Sequence, residues 1–173
     1  SNTKKYGAHV FTSNVDGQFQ KAGFKEDQVM ECHGSIHHMQ CIDNCQGVLW
    51  SADDTFIKIG EGFKAKEPLP VCPDCGAIAR PNILMFGDFG WEYKRTNAQR
   101  ERLSRWIERL KTEDAKLAIV EMGAGSAVPT VRNTSEQIAN QFDVPLIRIN
   151  PRESFGAAIG LPMGAVEALN EII

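Results

Sequence analysis

The chain has 173 residues, of which 42% are hydrophobic, 8% aromatic and 24% charged, with a net charge of −3. That length suits about one domain with its own core, and the balance excludes disordered, collagenous and coiled-coil chains. The small negative charge supplies no cluster of cations for phosphate backbones, which argues against nucleic acid as a partner. The longest uncharged stretch, Ser154–Val166, falls short of the ~20 apolar residues of a spanning helix, which argues against a membrane.

The opening Ser1-Asn2-Thr3-Lys4-Lys5 lacks the apolar run of a secretion signal, and Ser1-Asn2 reads as an expression scar. Ala8–Thr12 is a β-branched and aromatic run that predicts a buried strand. It opens into the polar segment Ser13-Asn14-Val15-Asp16-Gly17, the kind of position, just past a strand's carboxyl end, where α/β sheets place ligands. From about residue 32 to 82 the character changes. All five cysteines fall there, with two short strand-like runs, Gly47–Trp50 and Thr55–Ile59, as expected of a small inserted module.

Beyond it, Leu103, Trp106, Ile107 and Leu110 follow the spacing of one helical face and predict a helix over 98–111. Leu117–Met122 reads as a buried strand, Gly123-Ala124-Gly125-Ser126 as a turn, 129–141 as a helix and Val144–Ile149 as the next strand, ending at Asn150. A last helix is expected from near Pro162 to the end. Strands alternating with helices imply an α/β fold, a Rossmann-like parallel sheet with helices on its faces, plus a small zinc-ribbon module. The expected division is 1–31 and 83–173 for the sheet domain and 32–82 for the insert. Only Ala8–Thr12, Leu117–Met122 and Val144–Ile149 read as sheet strands, fewer than usual.

Cys41-x3-Cys45 and Cys72-x2-Cys75 form two close pairs of soft ligands, and Cys72-Pro73-Asp74-Cys75-Gly76 has the form of a knuckle that aims two thiolates at one ion. Four thiolates in tetrahedral array select Zn²⁺, in a closed structural site with no open position for water. The alternatives are four unrelated thiols or two disulfides. His37 and His38 precede Cys41, but a complete set of cysteines leaves them no vacancy. Cys32 is the odd thiol and reads as a small buried residue. Free thiols point to a reducing compartment, here the cytoplasm.

Asn14, Asp16 and His33 are the candidate chemical residues, although a lone histidine is more often structural. The Gly123–Ser126 turn can present backbone N–H groups to a phosphate but lacks the third glycine of the dinucleotide fingerprint. Together with the cysteine pairs these residues resemble, over about Val10 to Asn150, the sirtuin family of NAD-dependent protein deacylases. Thr12-Ser13-Asn14-Val15-Asp16-Gly17 with Ala22-Gly23 is similar to the family's Thr-Gln-Asn-hydrophobic-Asp-Gly motif and its downstream Ala-Gly. His33-Gly34 is similar to its catalytic His-Gly, and Arg80–Asp88 to its segment that pairs with the acyl-lysine peptide.

The resemblance implies transfer of the acyl group of a protein lysine to ADP-ribose with release of nicotinamide, with NAD and Zn bound. It implies that the acyl oxygen attacks the nicotinamide ribose carbon, with His33 as general base on a ribose hydroxyl. Asn14 would position ribose or water, and Asp16 would hold the nicotinamide carboxamide. It further implies cofactor contacts from Ser13, Asn14, Asp16, Gly123, Ala124, Gly125, Ser126 and Asn150. Ile83, Leu84, Met85, Phe86 and Gly87 would bind substrate through main-chain hydrogen bonds. Ser13 stands in place of Gln, Asp88 in place of Glu, and Ala124-Gly125 in place of Thr-Ser. The family's opening strand and Gly-Ala-Gly-hydrophobic-Ser loop, which grips the NAD pyrophosphate, do not precede Lys4. The expectation is therefore a piece of the enzyme whose incomplete sheet could be covered by a second copy of the chain. Two other readings stand beside this one: a non-catalytic zinc-bearing interaction module, and an NAD-consuming ADP-ribosyltransferase or NAD hydrolase.

Overall fold

In the computed structural model the described residues are 7–172, so the opening Ser1–Lys5 reading lies outside them. They divide into two compact units, Ala8–Ser104 and, with Gly7, residues 105–172.

In the first unit, β1 (Val10–Thr12) runs parallel to β2 (Val29–Glu31), with α1 (Gln18–Lys21) and a 3-10 turn between them. The polar segment after β1 leads directly into α1. All of β2 is buried, with Val29 and Met30 in the core. Next, β3 (Gly34–Cys41) is the centre of an antiparallel sheet, flanked by β4 (Leu49–Ser51) and β5 (Ala79–Ile83). Gly34 pairs with Ile83 and Cys41 with Ala79, with a register shift between Ser35 and Met39. This sheet was only partly expected. Its central strand, Gly-Ser-Ile-His-His-Met-Gln-Cys, has no apolar alternation, because its buried side includes Ser35 and Gln40. The expected strand at Thr55–Ile59 does not form. Ile59 makes one isolated bridge to Ala65, and Phe56 and Ile59 lie exposed with no sheet partner to cover them.

α2 (Lys94–Thr112) begins a turn earlier than its apolar spacing predicts, because its first two turns bury polar side chains, Thr96 and Gln99. In the second unit β6 (Ile119–Met122), β7 (Leu146–Ile149) and β8 (Ile159–Leu161) form a parallel sheet in that order. α3 (Thr130–Phe142) is the crossover from β6 to β7, and α4 (Ala165–Ile172) closes the described chain. Leu110, Ala139, Leu146, Ile149 and Ala168 are its buried apolar residues. The parallel sheet is as small as expected, but its membership differs. Val10–Thr12 pairs with β2, and the third strand is β8, which a central glycine conceals in the sequence. The last helix, expected from near Pro162, starts at Ala165.

Arg148, on β7, is 1% exposed and stands in register with Glu121 on β6. Its guanidinium donates to both Glu121 oxygens, to Glu136 at 2.7 Å and to the Phe155 carbonyl at 2.8 Å. A buried cation is tolerated only with such full pairing.

Candidate functional site

The four cysteines meet at the ends of the β3–β5 sheet and the loops beyond it. Their sulfurs all lie within 4.8 Å of one another, with Cys41 3.6 Å from Cys75 and Cys45 3.7 Å from Cys72. A disulfide needs about 2.05 Å. A tetrahedron of sulfurs around zinc, with Zn–S near 2.3 Å, has edges of about 3.8 Å, so the donor set fits Zn²⁺. The knuckle forms as its sequence requires. The Gly76 amide donates to Cys72 O at 3.0 Å, the Cys72 amide to Ala77 O at 2.7 Å, and Gly76 takes φ 75°. The Cys45 amide, first among several donors, brings the Cys41 thiol down to about 7. The Cys45 thiol is pushed up, chiefly by its hydrogen bond with Cys75. One thiolate thus opposes the next, a conflict that a bound divalent cation relieves. Cys32 is apart from this group, and burial pushes its thiol up to about 11, which keeps it protonated and inert.

Asn14 and Asp16 sit on the loop between β1 and α1. The Asn14 amide donates to Thr12 Oγ1 at 3.0 Å, and Asp16 Oδ1 accepts the Gln18 amide at 3.1 Å, which turns the chain into α1. His33 is half-buried between β2 and β3. The amide before it, Cys32, bonds Thr12 O at 2.9 Å, and its own carbonyl accepts the Leu84 amide at 2.9 Å. The unit thus gathers three of the expected pieces: the Asn14–Asp16 loop, His33 and the 83–87 segment. Met85 and Phe86 on that segment are exposed.

Asp88 anchors the segment. Its carboxylate takes two hydrogen bonds from Arg80, at 2.7 and 2.9 Å, and others from the amides of Met85 and Gly90. Burial pushes the Asp88 carboxyl up, but Arg80 and those amides outweigh it and hold it below the usual range. Gln40 and Asn82, both fully buried, complete the support. Asn82 Nδ2 donates to Gln40 Oε1 and to Glu92 O at 2.8 Å each, and Gln40 Nε2 donates to Gly90 O at 2.7 Å.

Two residues before His33, β2 ends in a group that the sequence pattern did not single out. Glu31 is buried, and its amide donates to Gln99 Oε1 at 3.0 Å while its carboxylate accepts from Arg95 and Gln99. Thr96 Oγ1 donates to Glu31 O at 3.4 Å. Two side chains of α2, Thr96 and Gln99, thereby satisfy the main chain of Glu31 at the end of β2, and Arg95 pairs with its carboxylate. The signal was a lone acid inside the apolar run Val29-Met30-Glu31-Cys32, with Arg95 and Gln99 one helical turn apart.

In the second unit Gly123–Ser126 and Asn150 come together at the carboxyl ends of β6 and β7. Gly123 takes φ 69°, and its amide bonds Ile149 O at 3.0 Å. Asn150 Nδ2 donates to Ala124 O at 3.0 Å, and its Oδ1 accepts the amides of Arg152 and Glu153. Among the described residues, nothing beyond its two chain neighbours lies within 4 Å of where a Cβ on Gly123 would stand, so the turn borders open space. The Ser126 amide is taken by Glu153 at 2.7 Å. Hydrogen bonds from Ser126, side chain first and amide second, are the main reason that carboxyl stays below its ordinary value.

A parallel α/β sheet with a glycine turn at its carboxyl edge, together with a β-strand that begins at a His-Gly step and ends in a four-cysteine group fit for zinc, defines the class: an α/β protein with a candidate structural metal site. The Sir2 family model matches residues 2–119, and the chain belongs to that family. An "NAD-dependent protein deacylase" of Leptospira interrogans is 31% identical over 154 residues, covering 88% of this chain and 53% of the relative. A "Probable bifunctional ADP-ribose hydrolase/ADP-ribosyltransferase" of Fusarium oxysporum is 31% identical over 154 residues, covering 82% of this chain and 25% of the relative. Among solved structures, a Sir2 homologue in complex with NAD superposes with a TM-score of 0.66 at 26% identity, over 95% of this chain and 56% of that one. The chain spans about half the length, or less, of the relatives it matches. No helix among the described residues is long and apolar enough to cross a membrane.

Proposed function

We propose that this chain carries the zinc module and the carboxyl-terminal part of the NAD site of an NAD-dependent protein lysine deacylase. The observation that carries the reading is the joining of its parts. The His33 carbonyl holds the Leu84 amide, so the base and the segment that would pair with an acyl-lysine strand share one hydrogen bond. NAD is consumed, supplying the ADP-ribose acceptor while nicotinamide leaves. His33 takes the proton from a ribose hydroxyl, and Asn14 orients the ribose or a water. Asp16 accepts from the nicotinamide carboxamide. Gly123–Ser126 and Asn150 hold the adenosine side, with Ser13 beside Asn14. Ile83–Gly87 lends main chain to the substrate, a mode that gives affinity with little sequence preference.

Residues 32–82 act as an insert whose closed Cys41, Cys45, Cys72, Cys75 site holds zinc for structure only. The cytoplasm, where thiols stay reduced, is the fitting compartment. A second reading has one specific support, the Fusarium relative: ADP-ribosyl transfer or NAD hydrolysis at the same site.

The deciding experiment incubates the intact protein with NAD and an acyl-lysine peptide and identifies products by mass spectrometry. Acyl-ADP-ribose and nicotinamide are expected, with turnover reduced about 10²- to 10⁴-fold in His33→Ala. Free ADP-ribose or a modified acceptor, with the acyl group still on the peptide, selects the second reading.

A further inference from the structure

We propose that His37 is a positioning residue, the latch that fixes the loop carrying Asn14 and Asp16. The proposal rests on the deacylase reading above for its effect on turnover, and on geometry alone for the latch. His37 stands on β3, half-buried, with Nε2 3.1 Å from the carbonyl oxygen of Asp16. A carbonyl only accepts, so Nε2 carries the proton and His37 donates.

The loop is shaped to receive this ring. A Cβ on Gly17 would lie 2.7 Å from His37 Nε2 and 2.8 Å from its Cδ2, closer than packed atoms stand. Gly17 also takes φ +66°, a left-handed conformation open to glycine at little cost. The glycine therefore does two things at once. It lets the chain turn into α1, and it leaves the space that the imidazole fills.

The main chain beside the ring closes the same junction. The Ile36 amide donates to Val15 O at 2.9 Å, and Ser35 Oγ accepts the His37 amide at 3.2 Å, fixing the residue from which the ring projects. Val15 and Asp16 thus each give a carbonyl to β3, although neither belongs to a strand. Fixing the Asp16 peptide plane fixes the start of its side chain, whose carboxylate must meet a directional amide donor of nicotinamide. His37 needs no contact with NAD to act. Its ring is committed to Asp16, which also accounts for its place outside the cysteine site.

His37→Phe keeps the ring and removes the donor, while His37→Gln sets an amide N–H near the position of Nε2. In the intact protein, His37→Phe is expected to raise the KM for NAD and the inhibition constant for nicotinamide together, by about three- to tenfold. That is the range of one hydrogen bond. The KM for the acyl peptide should stay within about twofold, and His37→Gln should recover most of the loss. An unchanged NAD KM in His37→Phe, or an equal rise for NAD and peptide, overturns the proposal. Long-range proton–nitrogen NMR reads the latch without turnover: an Nε2–H tautomer supports it and an Nδ1–H tautomer refutes it. A wild-type protein that shows the Nε2–H tautomer but no NAD-dependent deacylation counts against the deacylase reading and for the latch.

Discussion

The main-chain amide of Leu84 points at the carbonyl oxygen of His33, 2.9 Å away, and the residue that permits this approach is Gly34, the first of β3. Gly34 takes φ +82°, and any Cβ there would overlap the Asn82 carbonyl. β3 and β5 therefore close against each other beside the histidine, over a backbone that no other residue can adopt without strain.

Gly34→Ala combines a forbidden φ with a backbone overlap that no flexible side chain can relieve. The expected cost is about 2–4 kcal/mol, read as a lower urea midpoint at unchanged m-value. A midpoint within error of wild type would show that β5 shifts freely, and with it the segment at Leu84.

The metal prediction follows from the four sulfurs within 4.8 Å of one another. Native mass spectrometry should find one zinc per chain. Cys75→Ser or a strong chelator should remove it and unfold the β3–β5 sheet, because the ion's binding energy is part of the folding energy. A zinc-free chain with intact folding would refute the four-thiolate site.

Glu31, at the end of β2, and Arg95 form a largely buried pair, with side chains 1% and 14% exposed. Glu31→Gln keeps the shape but removes the counter-charge, leaving Arg95, among the described residues, the exposed Glu26 at 3.6 Å. The expected loss is about 2–3 kcal/mol, below the usual range for a broken buried pair because Arg95 keeps some solvent. A chemical-denaturation series checks it, and the double variant Glu31→Gln/Arg95→Met should regain part of the loss.

Asp88 sets an acid limit on the 84–90 loop. Its carboxyl is held below the ordinary value in the folded chain. Its contribution is therefore complete above about pH 4, where the unfolded group ionises, and is lost as pH falls through the lower folded value. Amide exchange at Met85 and Gly90 should quicken over that acid range, and Asp88→Asn should remove the step while weakening the grip on Arg80 at neutral pH.

Some of this was legible in the residues alone. The spacing of Cys41, Cys45, Cys72 and Cys75 announces one metal site, because two short ligand pairs need little more than a turn each to converge. The apolar face of α2, the strands β6 and β7 and the glycine turn after β6 are local patterns with local causes. His33-Gly34 and the Asn14–Asp16 loop are expectations from order along the chain, and the fold brings both into one unit.

What the sequence could not determine is what holds those pieces in place. Glu31, Gln40, Asn82 and Gln99 are polar residues in positions where pattern expects apolar ones, and each hydrogen-bonds a partner 10 or more residues away. β3 stayed hidden for the same reason. A buried polar side chain is affordable only when its distant partner arrives, so only the folded chain shows which polar residues are core. The single odd cysteine and the unassigned His37 were settled alike, one by burial and the other by the carbonyl it faces.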